Sequence, residues 1–182
     1  MILLDMLIYW QHVASHHVPL IWRFHKVHHT DRDIDVTTGF RFHPFEILFS
    51  MGYKMLCVWL LGAPVLAVLI FEILLNACAM FNHSNTYLPD GADRMLRRFL
   101  VTPDMHRVHH SVEVSETNSN YGFALSCWDR WFGSYVNQPR AGHDEMTVGL
   151  SAHQTNQTSA LRWLLWLPFR RNTKDNTPQD AV

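Results

Sequence analysis

The sequence predicts an all-α integral membrane protein, with one helical hairpin at about residues 45–82 and with interfacial and cytosolic helices that carry histidine clusters. Two apolar runs, at about 45–61 and 65–81, flank Gly62-Ala63-Pro64. Each run approaches the roughly 20 residues that a helix needs to cross a bilayer, and Gly-Ala-Pro is typical of a turn. The third observation is an excess of histidine, 13 among 182 residues, of which many recur at helical spacing.

Composition excludes some classes of function. The formal net charge is −1, so nothing points to nucleic acid as a partner. The three cysteines are far apart in sequence and odd in number. A disulfide framework is therefore not predicted, and a reducing compartment fits better.

The chain begins with a predicted helix over residues 1–18. His12 and His16 lie four residues apart near its end, and Pro19 ends or kinks it. Residues 20–30 contain the first H-x-x-H-H motif, His25–His29. Positions i, i+3 and i+4 share one helix face, so this motif is predicted to aim three imidazoles at one point.

The hairpin follows, and its charges predict an orientation. The arginines lie outside the hairpin and the tip carries none, so the positive-inside rule places the histidine face in the cytoplasm. Lys54 and Glu72 interrupt the two apolar runs, each nine residues from Ala63. Charges inside a membrane are usually paired, which favours a Lys54–Glu72 ion pair. The alternative is a snorkelling lysine and an inward-facing glutamate.

Residues 92–101 are amphipathic and predict an interfacial helix. Thr102-Pro103 is a typical helix start, which places the second H-x-x-H-H motif, His106–His110, in the first turns of a new helix. Residues 137–169 are predicted to form a polar loop and an apolar interfacial helix, and residues 170–182 a disordered tail.

Clustered histidine predicts a metal centre, because neutral imidazole is a common metal ligand. Eight candidates exceed the needs of one tetrahedral zinc and suit two metals. Imidazole binds Zn, Cu, Fe and Ni, so ligand type alone does not choose among them, whereas a redox role would select iron. The alternative is a set of surface histidines without metal. The eight candidate ligands are His12, His16, His25, His28, His29, His106, His109 and His110.

Other polar residues are weaker candidates. Asp5 lies two helical turns before His12 and could hold the second ring N–H of a ligand, or make a packing contact. Considered alone, His83 could equally be a metal ligand or a residue that only caps a helix or binds a phosphate. The remaining residues considered for roles around the ligands are His17, His43, Asp104 and, on weaker grounds, Glu46, while His143 and His153 are expected to be solvated.

These motifs resemble the fatty acid hydroxylase and sterol desaturase superfamily of membrane enzymes. The stretches that carry the resemblance are His12-x-x-x-His16, His25-x-x-His28-His29, Arg41-Phe42-His43-Pro44-Phe45-Glu46, Asn82-His83-Ser84-Asn85, Thr102 through His110, Asn120-Tyr121-Gly122 and Trp128 through Gly133. The resemblance implies a di-iron domain over residues 1–136, with His83 as a ninth ligand. It also implies O₂-dependent hydroxylation or desaturation of a C–H bond in a lipid of sterol, fatty acyl or alkylglycerol type. Electrons would come from a separate donor, cytochrome b5-like or ferredoxin-like.

The chain also departs from that family. Its members usually have additional N-terminal membrane helices, and we expect this chain to lack them. Some carry another histidine where this chain has Tyr87. Two other functions stay open from the residues, a membrane zinc hydrolase and a truncated, non-catalytic metal-binding relic. Metal analysis would separate them from the oxygenase.

Overall fold

The computed structural model describes residues 1–170 and shows an all-helical protein without strands in that range. Residues 171–182 lie outside the described part, so the predicted disordered tail is not tested. In chain order the α-helices are α1 Ile2–His17, α2 Pro19–His29, α3 Pro44–Leu61, α4 Val65–Asn82, α5 Asp90–Leu96, α6 Pro103–His109, α7 Val114–Thr117, α8 Cys127–Phe132 and α9 Leu161–Trp166. Short 3₁₀ turns cover Val36–Phe40, Ser151–His153, Asn156–Ser159 and Leu167–Phe169.

The predicted hairpin is confirmed as α3 and α4. Gly62 closes α3 in a left-handed conformation (φ 59°), and Pro64 precedes the first residue of α4. Both helices are long and apolar enough to cross a membrane. Large apolar side chains such as Trp59 and Val65 are exposed along them, as expected for surfaces that face lipid. The length and apolar character of these two helices support a membrane protein.

Helix starts follow the sequence closely. Pro19 begins α2 after an extended Val18, since proline fits the first helical turn but not an interior. Thr102 caps α6 by accepting a hydrogen bond from the Met105 amide, and Pro103 occupies the first helical position. The second histidine motif therefore lies on a short helix whose start is fixed by its own residues.

The predicted interfacial helix over residues 92–101 is wrong in its length. The helix runs from Asp90 to Leu96 only. Arg97 turns back to pair with Asp93 and to donate to the Asn137 carbonyl at 2.8 Å, and Leu100 forms an isolated antiparallel bridge with Leu125. Because Asn137 and Leu125 lie far from the helix in sequence, local amphipathicity does not reveal where it ends.

Two apolar clusters fix the helices around the histidines. Leu4 and Ile8 of α1 pack against Phe71 and Leu75 of α4, which joins the first helix to the hairpin. On the other side, Val27 of α2 packs against Trp163 and Leu167 near α9. The helices α1 and α2 also pack on each other, and α6 packs on α4, so the histidine-bearing ends of these four helices lie next to one another.

Candidate metal centre

All nine candidate histidines are buried and converge in two adjacent groups. Within each group the ring nitrogens that could bind a metal lie within 4.8 Å of one another. Group one contains five residues, His12, His16, His25, His29 and His109. Group two contains four residues, His28, His83, His106 and His110.

The prediction that each H-x-x-H-H motif aims at one point is wrong. His25 and His29 belong to group one, whereas His28 between them belongs to group two. The second motif mirrors this division, because His109 joins group one while its two companions stay in group two. Positions i+3 and i+4 point about 100° apart around a helix, so a helix lying between two sites supplies both.

Three candidate ligands of group one are oriented through their Nδ1 atoms. His25 Nδ1–H donates to Glu46 Oε1 at 2.5 Å, and His12 Nδ1–H donates to the Tyr121 carbonyl at 2.8 Å. His109 Nδ1–H donates to the Ser119 carbonyl at 2.7 Å. A proton on Nδ1 leaves the Nε2 lone pair of each ring available to a metal.

In group two the Nε2 atoms face one another. His83 Nε2 lies 3.2 Å from His28 Nε2 and 3.0 Å from His106 Nε2, and His110 Nε2 lies 3.3 Å from His106 Nε2. Two nitrogens about 2.1 Å from one metal, at angles between square and tetrahedral, are separated by about 3.0–3.4 Å. These spacings therefore match a shared metal. His83 is fixed through Nδ1–H, which donates to the Ala79 carbonyl at 2.7 Å.

The remaining ring nitrogens fit metal binding as well. Both nitrogens of His16 and of His29 are buried without a hydrogen-bond partner, as are Nε2 of His25 and of His109. A buried polar atom without a partner costs about 1–3 kcal/mol, so this many in one place calls for a ligand. A metal ion in group one would take one nitrogen from each of these four rings.

Burial holds the histidines in the form that binds metal. Loss of hydration lowers the pKa of His83 to about 4 and that of His109 to about 3. Loss of hydration, reinforced by the neighbouring imidazoles, also lowers the pKa values of His12, His16, His28, His29, His106 and His110 well below the usual 6.5. The rings with lowered pKa values are neutral at pH 7 and can donate a lone pair.

Two of the predicted supporting carboxylates do not contact a ligand. Asp5 accepts hydrogen bonds from Trp128 Nε1 at 2.7 Å and from two backbone amides, so it ties α1 to α8 instead of holding His12. Asp104 pairs with Arg107 at 2.6 Å within α6. The carboxylate that does contact a candidate ligand is Glu46, because the start of α3 lies against α2.

The other two candidates lie beside the groups. His17 is exposed, and its Nε2 is hydrogen-bonded to the Tyr121 hydroxyl at 3.0 Å. His43 caps α3 by accepting from the Phe45 amide at 3.2 Å, which agrees with its position before Pro44. Neither residue belongs to a metal-binding group.

Sequence reasoning did not identify the carbonyls of Ser119 and Tyr121 as supports for His109 and His12. Backbone carbonyls leave no residue-type signal. The local signal was Asn120-Tyr121-Gly122: Asn120 has a positive φ of 49°, and its side chain donates to two backbone carbonyls while accepting from the Val136 amide. That arrangement shapes the loop that presents both carbonyls.

A cleft of about 260 Å³ leads from the histidines into the hairpin. At its inner end it is lined by His12 and His25 of group one and by His28, His83 and His106 of group two. At its outer end lie Lys54 and Glu72, whose Nζ and two carboxylate oxygens are 2.8 Å apart. Both metal-binding groups thus open into a cavity that reaches the membrane helices.

Comparison with known proteins finds a family and several relatives. The profile of the fatty acid hydroxylase family matches residues 1–134. The chain is 31% identical to the ornithine lipid hydroxylase OlsE of Rhizobium tropici over 78% of this chain and 42% of that protein. It is 28% identical to the alkylglycerol monooxygenase of Homo sapiens, over 79% of this chain and 30% of that protein.

A third relative is the cholesterol 25-hydroxylase of Homo sapiens, 30% identical over 74% of this chain and 48% of that protein. The chain thus spans less than half the length of each of these relatives. No solved structure shows a significant match. The histidine motifs, the paired metal-binding groups and the profile match over residues 1–134 together place this chain in the fatty acid hydroxylase family.

Proposed function

We propose that this chain is an O₂-dependent lipid hydroxylase in which group one and group two each hold one iron. The observation that carries the proposal is the placement of two adjacent all-histidine groups at the inner end of a cleft that opens among membrane helices. The relatives are named as hydroxylases and monooxygenases, which favours hydroxylation over desaturation. Paired irons would supply the reduction of O₂ that attack on an unactivated C–H bond requires.

The residues of the chain hold and orient the ligands. Glu46 and the carbonyls of Ser119 and Tyr121 fix three rings, and the Ala79 carbonyl fixes His83. Such contacts hold each ring at the tautomer and angle that a metal needs. A ligand set of neutral imidazoles, with Glu46 as its contacting carboxylate, leaves a strongly cationic centre that favours a bound anion.

Aromatic residues line the cleft beside the histidines. Phe42 stacks on His28 with ring centroids 4.4 Å apart and planes within 11°. Phe40 and Phe123 line the same cleft. These rings would exclude water and guide a hydrocarbon segment towards the histidines, which protects a reactive centre from side reactions.

We further propose that the histidine face is cytoplasmic and that electrons come from a cytochrome b5-like or ferredoxin-like protein. The absence of arginine and lysine from the hairpin tip supports the orientation. Accessibility of an engineered cysteine at Ala63 to reagents outside intact cells would test it.

The experiment for the main proposal is ¹⁸O₂ incorporation into membrane lipid by the full chain, loaded with iron and supplied with a redox donor. Wild-type protein is expected to give lipids heavier by one ¹⁸O atom. His109→Ala should abolish the product, because it removes a group-one ligand. His153→Ala is the matched control, since His153 packs on Trp163 and belongs to neither group. If iron-loaded wild-type protein gives no ¹⁸O-labelled lipid with any of the candidate electron donors, the proposal is contradicted.

A further inference from the structure

The cleft is lined by one stripe of residues from each of three helices. On α4 the stripe runs at helical spacing from the charged Glu72 to the candidate ligand His83. On α3 it runs from Glu46, which contacts His25, to the charged Lys54. Residues of α1 complete the wall. The polar members of the stripes are Glu72 and Asn76 on α4 with His83 at its end, and Glu46, Ser50 and Lys54 on α3.

These stripes give the cleft a polar end, an apolar middle and a histidine end. Eleven residues of helix separate Glu72 from His83, which corresponds to about 16 Å. Eight residues separate Lys54 from Glu46, which corresponds to about 12 Å. The middle of the cleft is lined by Leu75 and other apolar side chains.

The Lys54–Glu72 pair stands between two cavities. It also lines a groove of about 680 Å³ on the hairpin, whose other walls include Met51, Met55 and Trp59. A lipid chain that moves from this apolar groove into the cleft passes the pair. A lipid entering with its apolar end first would leave a trailing polar group beside the pair.

Joining α3 to α4 does not by itself explain the position of the Lys54–Glu72 ion pair. An ion pair within apolar membrane helices is expensive, and the two side chains keep 22% and 36% of their surface accessible. Ser50 and Asn76 add two polar groups one helical turn from the charges, on the same stripes. Lys54 and Glu72 are hydrogen-bonded to each other, and Asn76 Nδ2 donates to the Glu72 carbonyl at 2.7 Å. A hydrocarbon at this end would remove water from the remaining polar atoms without replacing it as a hydrogen-bond partner.

We infer that the cleft selects a lipid with a hydroxyl group at the Lys54–Glu72 end, separated by about 12–16 Å of hydrocarbon from the carbon placed at the histidines. The pair is then a specificity determinant: Glu72 accepts from the lipid O–H and Lys54 donates to its oxygen. Oxidation falls far from the existing oxygen. This inference rests on the proposed function for the oxidation step, but its binding half stands independently.

The test compares binding of 1-hexadecanol and n-hexadecane to the iron-loaded full chain in detergent. Hydrogen bonds to charged groups predict a preference of about tenfold or more for the alcohol. Lys54→Met combined with Glu72→Leu should reduce that preference to below about threefold. Lys54→Glu combined with Glu72→Lys is the matched control; it keeps an ion pair at the same depth and should keep the preference.

Iron content is measured for each variant, so that a folding failure is recognised. If the apolar double variant does not hold iron, Asn76→Leu replaces it and should lower the preference about threefold. A wild type without preference, or variants that keep it in full, would overturn the inference. So would oxidation next to the existing oxygen. Selective alcohol binding without any oxidised product would instead refute the proposed function and leave the binding site intact.

Discussion

Replacing Glu46 by leucine should weaken the metal site of group one and leave that of group two intact. Glu46 is buried and accepts from His25 Nδ1 at 2.5 Å. A buried hydrogen bond with one charged partner contributes about 1.5–3 kcal/mol, and loss of such a support typically costs 10–100-fold in metal affinity. His25 would lose the contact that holds its Nε2 towards His12 and His16.

The assay is competition for iron against a chelator of known affinity, with both binding steps resolved. We expect Glu46→Leu to weaken one step about 10–100-fold and to change the other less than about threefold. Asp104→Leu is the matched control, because Asp104 is a partly buried carboxylate that pairs with Arg107 and contacts no candidate ligand. Equal weakening of both steps, or equal effects of the two substitutions, would refute the assignment of Glu46 to group one.

Three further predictions concern stability. Gly122→Ala should cost about 1–3 kcal/mol in thermal unfolding, because its Cβ would lie 2.6 Å from Asp129 Oδ2; an unchanged melting temperature would contradict this close packing. Asp5→Ala should destabilise by about 3 kcal/mol or more while leaving iron affinity unchanged, since Trp128 Nε1 and two amides lose their acceptor. The metal-free protein should lose stability as pH falls. The pKa of His109 is about 3 in the folded state and near 6.5 in the unfolded state, so unfolding takes up a proton between these pH values. This residue alone should lower the free energy of unfolding by about 1.4 kcal/mol between pH 7.5 and 5.5, whereas a denaturation profile that does not change with pH would show that the rings are hydrated.

The sequence predicted what depends on local physics. The hairpin follows from two apolar runs around Gly62-Ala63-Pro64, and the start of α6 follows from Thr102 and Pro103. These features need no partner from elsewhere in the chain. Likewise, equal spacing of Lys54 and Glu72 from Ala63 is enough to suggest that they meet.

What the sequence did not predict depends on contacts between distant elements. Helical spacing linked Asp5 to His12. The Asp5 carboxylate instead accepts hydrogen bonds from Trp128 and two backbone amides that lie more than a hundred residues away. Glu46 supports His25 because α3 packs on α2, which no local pattern encodes. The division of His28 from His29 similarly depends on where α1, α4 and α6 place their own histidines.

The central claim is that two separate histidine groups each hold one iron. The most direct test is the number of irons per chain after reconstitution, measured for wild type, His16→Ala and His110→Ala. Two irons are predicted for the wild type and one for each variant, with loss from group one in His16→Ala and from group two in His110→Ala. One zinc per wild-type chain would indicate a hydrolase, and no bound metal a non-catalytic relic; either result would contradict the account.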